Sequence, residues 1–209
     1  MSITPSTIIL IAIFLLVSFP VHEFFHAFVA YRLGDATAKM YGRLTLNPIV
    51  HFDPFGGLFL VVSALFGGFL FGWAKPTPVN PSNLRDRRNG EVWVAIAGPL
   101  SNLLLAGIGA IAVRIVVAAD ITLPGILDEV LINFVFFNVA LAIFNLIPVP
   151  PLDGSAILFR LLPLRTAYEL RPILNQYGFL ILLVAIIFLS QVPIFSRLVT
   201  DVTRFLVGF

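Results

Sequence analysis

A chain of 209 residues that is 59% hydrophobic and only 11% charged, with a mean hydropathy of +1.01, cannot fold as a soluble domain. Its formal net charge of +2 is small and its lysines and arginines are scattered through short loops, which argues against a nucleic-acid partner. Cysteine is absent, so disulfides and zinc–thiolate sites are excluded and any metal must be held by histidine and carboxylate.

A span needs about 20 apolar residues, and the chain offers segments of that length or near it at 8–29, 55–73, 92–119 and 126–147. A shorter fifth at 177–189 is preceded by a mostly apolar stretch at 157–164. The expected fold is an all-α membrane protein, a polytopic bundle of about five to six membrane segments in contact with the lipid bilayer. So much apolar sequence leaves no room for a separate soluble domain. The whole chain, 1–209, reads as one integral-membrane domain, with a core over about 7–165 and C-terminal helices over about 166–209.

The first helix is predicted from about Thr7 to Leu33, stopped by Gly34. It lacks the basic flank and small-residue cleavage site of a signal peptide, so it is expected to be retained. Within it stands His22-Glu23-Phe24-Phe25-His26, an HExxH pattern in a chain that has only three histidines. On a helix, residues four apart share a face, so both imidazoles can reach one metal ion. Glu23, turned about 100° from His22, can address a metal-bound water. Ionisable groups at membrane depth are expensive and mark function, so the pattern reads as metal-dependent hydrolysis within a membrane. Pro20 deprives the Leu16 carbonyl of its helical donor and bends the axis. That kink either aims the histidines inward or is a packing feature.

Residues 34–50 are polar enough to leave the hydrocarbon. The alternation from Ala38 to Leu46 suggests a short strand or β-hairpin, whose edge could receive an extended substrate, although an ordinary connector is the favoured reading. His51 follows in a turn and reads as a structural or gating residue ahead of a replacement metal ligand. Residues 55–73 contain Gly56-Gly57 and Gly67-Gly68, which permit close packing or a re-entrant bend, and end at Trp73, an interfacial aromatic. The positive-inside tendency puts Arg32, Lys39 and Arg43 on the cytoplasmic side. A full span at 55–73 would then place Lys75, Arg85, Arg87 and Arg88 opposite, a conflict that a re-entrant segment removes. The proline-rich loop 74–90 is predicted to be stiff and extended.

The third helix carries Gly98-Pro99-Leu100-Ser101-Asn102 and then small residues at Ala106, Gly107, Gly109 and Ala110, suited to close helix approach. Asn102 makes either an interhelical hydrogen bond or a substrate contact. The fourth leads into Asn145-Leu146-Ile147-Pro148-Val149-Pro150-Pro151-Leu152-Asp153-Gly154, whose prolines unwind the backbone where protein or a water-filled cavity must surround it. Asp153 could cap the next helix. Ligation is favoured, because a zinc bound by two histidines needs a third protein group and few others are available. The tail, 192–209, separates Arg197, Asp201 and Arg204 from a largely apolar face and reads as an interfacial amphipathic helix.

With HEFFH on a membrane helix and NLIPVPPLDG far downstream, the chain resembles the site-2 protease family of intramembrane zinc metalloproteases, which also features a Gly-x-x-x-Asn-like element matched by Gly98 to Asn102. The resemblance covers about 20–154 and looks like the compact prokaryotic branch without PDZ or CBS domains, which implies a prokaryotic cell membrane. It implies that His22, His26 and Asp153 bind one Zn2+, that Glu23 is the general base, and that Asn145 occupies a family position. A helical substrate must unwind before its carbonyls can be attacked, so Asn102 and Asn145 are candidates to hold the unwound strand or the developing oxyanion. The expected partner is a transmembrane protein or peptide substrate, whose identity the sequence does not give, nor does it give the oligomeric state. Two other functions compete: a catalytically silent zinc-binding adaptor, and a metal transporter using the same ligands. Retention of Glu23 argues against the adaptor, because a structural site needs no base.

Overall fold

The computed structural model describes residues 4–66, 75–191 and 193–208. Helix α1, Pro5–Arg32, starts where Thr4 accepts a hydrogen bond from the Thr7 amide and proline occupies the first turn. It is not uniform. Phe14–Ser18 winds as a π-helical turn, with the Phe19 amide donating to the Phe14 carbonyl, immediately ahead of Pro20. The proline supplies no N–H to the preceding turn, and the wider winding is the local adjustment around that gap. Gly34, at φ +112°, ends the helix. The Gly34 amide donates to the Tyr31 carbonyl and the Asp35 amide to the Ala30 carbonyl, a Schellman cap that satisfies the terminal acceptors.

The β-hairpin suggested at 38–46 is not formed, and no strand occurs among the described residues. Thr37–Met40 is a single helical turn closed by a second Schellman cap, with Gly42 at φ +68°, its amide on the Lys39 carbonyl and the Arg43 amide on the Ala38 carbonyl. The apolar–polar alternation there arises from a helical turn running into its cap. Asp53 accepts from the Gly56 amide at 2.9 Å and opens α2, Pro54–Phe66. The remainder of the expected second segment, including Gly67-Gly68 and Trp73, lies outside the described residues.

Past that point the Lys75 amide donates to the His51 carbonyl at 2.8 Å and the Arg85 amide to the Leu33 carbonyl at 3.0 Å. Lys75 and Arg85 are therefore held at the end of α1 that carries Leu33 and at the turn that carries His51. Arg85 thus lies at the same end of the bundle as Arg32, which ends α1.

Helix α3, Arg87–Ala118, is capped by Asp86 and is the centre of the bundle, with α1 on one flank and α4, Gly125–Asn145, on another. The small residues do the packing. A Cβ on Gly109 would come within 2.9 Å of the Phe134 ring, whereas Gly107 faces open space. Ala106, Ala110 and Val113 of α3 meet Val135 and Val139 of α4 in a buried cluster. On the outer side of α3, Leu100, Leu104, Ile108, Ile111 and Ile115 are exposed at helical spacing. A helix apolar all round is built for lipid.

The loop after α4 contains a cis Pro150–Pro151 bond and leads to α5, Gly154–Leu161, and α6, Leu164–Gln191. Four helices are long and apolar enough to cross a membrane among the described residues: Pro5–Arg32, Arg87–Ala118, Gly125–Asn145 and Leu164–Ile186. That is fewer than the five to six segments expected, because α5, at 8 residues, cannot span and only 13 residues of α2 are described. The tail forms α7, Ile194–Val207, whose face of Val199, Thr203 and Val207 is buried against α3 and α4. The Arg114 guanidinium donates to the Phe205 and Leu206 carbonyls at 2.9 and 2.7 Å and ties down its C-terminal end. The amphipathic tail is thus packed on the bundle, with Arg197, Asp201 and Arg204 exposed.

Candidate metal centre and active site

The π turn and Pro20 precede His22, Glu23 and His26, which are 5%, 9% and 8% exposed. The two Nε2 atoms lie 2.9 Å apart, with Asp153 Oδ2 3.3 Å from His22 Nε2 and Asp153 Oδ1 3.4 Å from His26 Nε2. The structure therefore brings together three of the residues singled out from sequence, their ligand atoms all within 4.8 Å of one another.

The protons on those histidines follow from their partners. His26 Nδ1 lies 2.7 Å from the Val94 carbonyl, which can only accept, so Nδ1 carries the proton and Nε2 presents a lone pair. For His22 the same result is reached through three side chains. Asn138 Nδ2 donates to the Phe134 carbonyl at 2.9 Å, so its Oδ1 accepts from Asn102 Nδ2 at 3.1 Å. Asn102 Oδ1 then faces His22 Nδ1 at 2.6 Å and accepts its proton. In the neutral rings both Nε2 lone pairs consequently point at each other and at a carboxylate, a repulsion that a proton or a metal ion between them relieves. Asp153 agrees with this reading: it stands at the N-cap of α5 yet makes no side-chain capping bond, and its buried Oδ2 has no hydrogen-bond partner. Two imidazoles and one carboxylate are the donor set of an open zinc site, whose fourth ligand comes from the cavity.

Gly98 sets how closely α3 approaches. A Cβ there would fall 2.3 Å from His26 Nε2 and 2.6 Å from His22 Cε1. Gly154 is equally constrained, since its Cβ would lie 2.2 Å from the Leu146 carbonyl oxygen, so the unwound loop folds directly onto the start of α5 and delivers Asp153.

Glu23 Oε2 accepts from the Thr77 amide at 2.8 Å. The carboxylate belongs to a residue that lines a cavity of about 820 Å³, and among the described residues no hydrogen bond to Oε1 is formed. The histidines, Asp153, Asn145, Pro76 and Thr77 share that cavity, whose rim carries the Glu91–Arg171 ion pair at 2.5 Å. Of the two asparagines singled out, Asn102 is fully buried beneath the histidines with both polar ends engaged. Asn145 lines the cavity, its Nδ2 donating to the Leu141 carbonyl at 2.9 Å and its Oδ1 without a bond among the described residues. His51 is not part of this cluster: it is buried elsewhere, bonded through Nε2 to the Thr45 carbonyl at 2.8 Å. Val94, Thr77 and Asn138 were not singled out from sequence. Only Asn138, a polar residue in an apolar helix, carried a readable signal.

The family model described as peptidase family M50 matches residues 10–128 and 112–185. A Bacillus subtilis (strain 168) relative named "Putative zinc metalloprotease YwhC" is 42% identical, over 83% of this chain and 78% of its own. Two mycobacterial relatives are each named "Putative zinc metalloprotease Rip2". That of Mycolicibacterium smegmatis is 33% identical over 82% of this chain and 64% of its own length. That of Mycobacterium tuberculosis (strain H37Rv) is 34% identical over 81% of this chain and 63% of its own, so the chain spans under two thirds of both. No solved structure matches the chain. The paired lone pairs, the uncapping aspartate and the family match converge: this multi-pass membrane protein belongs to peptidase family M50, the site-2 protease family of zinc metalloproteases.

Proposed function

We propose that the chain, acting as one domain over 1–209, is an endopeptidase that hydrolyses peptide bonds in or near transmembrane segments of other proteins. The observation that carries this reading is the convergence of His22, His26 and Asp153 on one point, with the Glu23 carboxylate beside it and a cavity opening onto all four. When bound, zinc would lower the pKa of a water towards about 7 and polarise a peptide carbonyl.

The remaining work belongs to the chain. His22 and His26 supply Nε2, their Nδ1 protons spent on Asn102 and Val94, which fixes ring orientation. Glu23 Oε1 takes the proton from the attacking water and delivers it to the departing amine. We assign Asn102 to orienting His22, in keeping with its burial. Asn145 suits either contact with an unwound substrate: one Nδ2 hydrogen is engaged by the Leu141 carbonyl, which leaves a second N–H for a developing oxyanion and Oδ1 to accept a substrate N–H. The walls contributed by Phe19, Phe144 and Leu182 suit an apolar segment.

The test uses zinc-loaded protein in phosphatidylcholine vesicles with a panel of fluorogenic single-span peptides, each with a helix-breaking pair near its cleavable centre. Glu23→Gln should lose cleavage by about 10²–10⁴-fold while keeping its zinc. Asp153→Ala should lose the zinc as well. Metal flux through Glu23→Gln vesicles without any wild-type cleavage would instead favour a transporter. The names of the relatives and the placement of Glu23 favour hydrolysis over both transport and a silent adaptor.

A further inference from the structure

Resting on the protease reading, we propose that Thr77 is a positioning residue that holds the Glu23 carboxylate for proton transfer. The segment 75–80 is neither helix nor strand and is anchored at both ends, by the Lys75 amide on the His51 carbonyl at 2.8 Å and by the Asn80 amide on Asp35 Oδ2 at 2.7 Å. Between these anchors Thr77 grips a single residue of α1 at two points. Its amide donates to Glu23 Oε2 at 2.8 Å and its hydroxyl to the Glu23 carbonyl at 3.1 Å. Proline has no N–H, so Pro76 and Pro78 leave the Thr77 amide as the one backbone donor between Lys75 and Val79.

A glutamate side chain turns about three torsions, and a base must keep its oxygen within about 3 Å of the proton it takes. Tying down Oε2 fixes the plane of the carboxylate and leaves Oε1 as the working oxygen. The hydroxyl bond to the Glu23 carbonyl holds the segment against α1, so that the amide stays in register. Thr77 lines the same cavity without belonging to the ligand set.

The experiment compares wild type, Thr77→Val, Thr77→Ser and Thr77→Pro as full-length zinc-loaded chains in vesicles, on the reporter peptide that wild type cuts fastest. Thr77→Val removes only the hydroxyl and should lower kcat about tenfold with KM and zinc content unchanged. Thr77→Ser restores the hydroxyl and should return kcat to within about twofold of wild type. Thr77→Pro removes the amide donor to a charged acceptor and should lower kcat roughly a hundredfold. Wild-type kcat in both Thr77→Val and Thr77→Pro overturns the assignment, as does a loss of zinc that tracks the loss of rate. If Thr77→Pro does not fold, the valine and serine pair decides. A wild-type chain that binds zinc and cuts none of the panel removes the protease reading and this assignment with it, whereas wild-type cleavage with unaffected variants removes the assignment alone.

Discussion

Gly98 is the residue on which the metal centre has least tolerance. A methyl group 2.3 Å from His26 Nε2 would occupy the space where the two ring nitrogens converge. Gly98→Ala is therefore expected to abolish stoichiometric zinc binding while leaving the helices in place, measured as zinc per chain beside the far-ultraviolet circular dichroism spectrum; full zinc would show that α3 can retreat. A milder effect belongs to Asn138. Asn138→Leu removes the group that holds Asn102 in one orientation, so His22 loses part of its enforced tautomer. Zinc affinity should fall about 10–100-fold in a chelator competition. The convergence of His22, His26 and Asp153 was legible in the sequence, the histidines from their helical spacing of four and Asp153 from the proline run that unwinds the backbone before it. The Val94 carbonyl and Thr77 amide were not, because every residue but proline carries both groups and the contacts join positions 68 and 54 residues apart.

Among the elements, the stretch around Asn80 and Asn83 that leads into α3 is held by Asp35. This fully buried carboxylate accepts from the Thr37 and Asn80 amides and the Asn83 side chain at 3.0, 2.7 and 3.0 Å, and also from the Thr37 hydroxyl. Burial pushes its pKa up, but the bonds from Thr37, Asn83 and Asn80 outweigh that and hold it below the ordinary carboxylate value. A pKa depressed in the folded state means that stability is fully present above the unfolded value of about 3.9 and lost as pH falls through the lower folded value. Asp35→Asn should melt earlier than wild type at pH 6–7, the cost being about 1–3 kcal/mol. The gap should narrow below about pH 4. A gap independent of pH would mean that the carboxylate charge is not what holds the loop. At the α3–α4 contact, Gly109→Val should destabilise by roughly 1–3 kcal/mol, because Phe134 and Val135 leave no room for the side chain. The ends of these elements were partly legible: Gly34 stops α1 as expected, while the turn at Thr37–Met40 suggested a strand because a short helical turn and its cap show the same alternation.

For the whole molecule, the spans were readable from apolar length, but their lateral arrangement was not, since a membrane helix is apolar toward both lipid and neighbour. The small-residue faces were the exception, and even there Ala106 and Gly109 pack while Gly107 does not. Because zinc binds the folded arrangement, stripping it with a chelator should abolish cleavage, reversibly on zinc addition. It should also lower the melting temperature, by an amount equivalent to about 2.7 kcal/mol when free zinc had been a hundred times its Kd. An unchanged melt after stripping would place the metal outside the folded core. The order of the site along the chain has a consequence for biosynthesis. The two histidines enter with the first helix, their supports with the third and fourth, and Asp153 only after the fourth is complete. The centre is accordingly incomplete in a nascent chain until Asp153 has been made, and a chain ended after Asn145 should insert yet take up no stoichiometric zinc, whereas one that loads zinc normally would show that the centre does not wait for its last ligand.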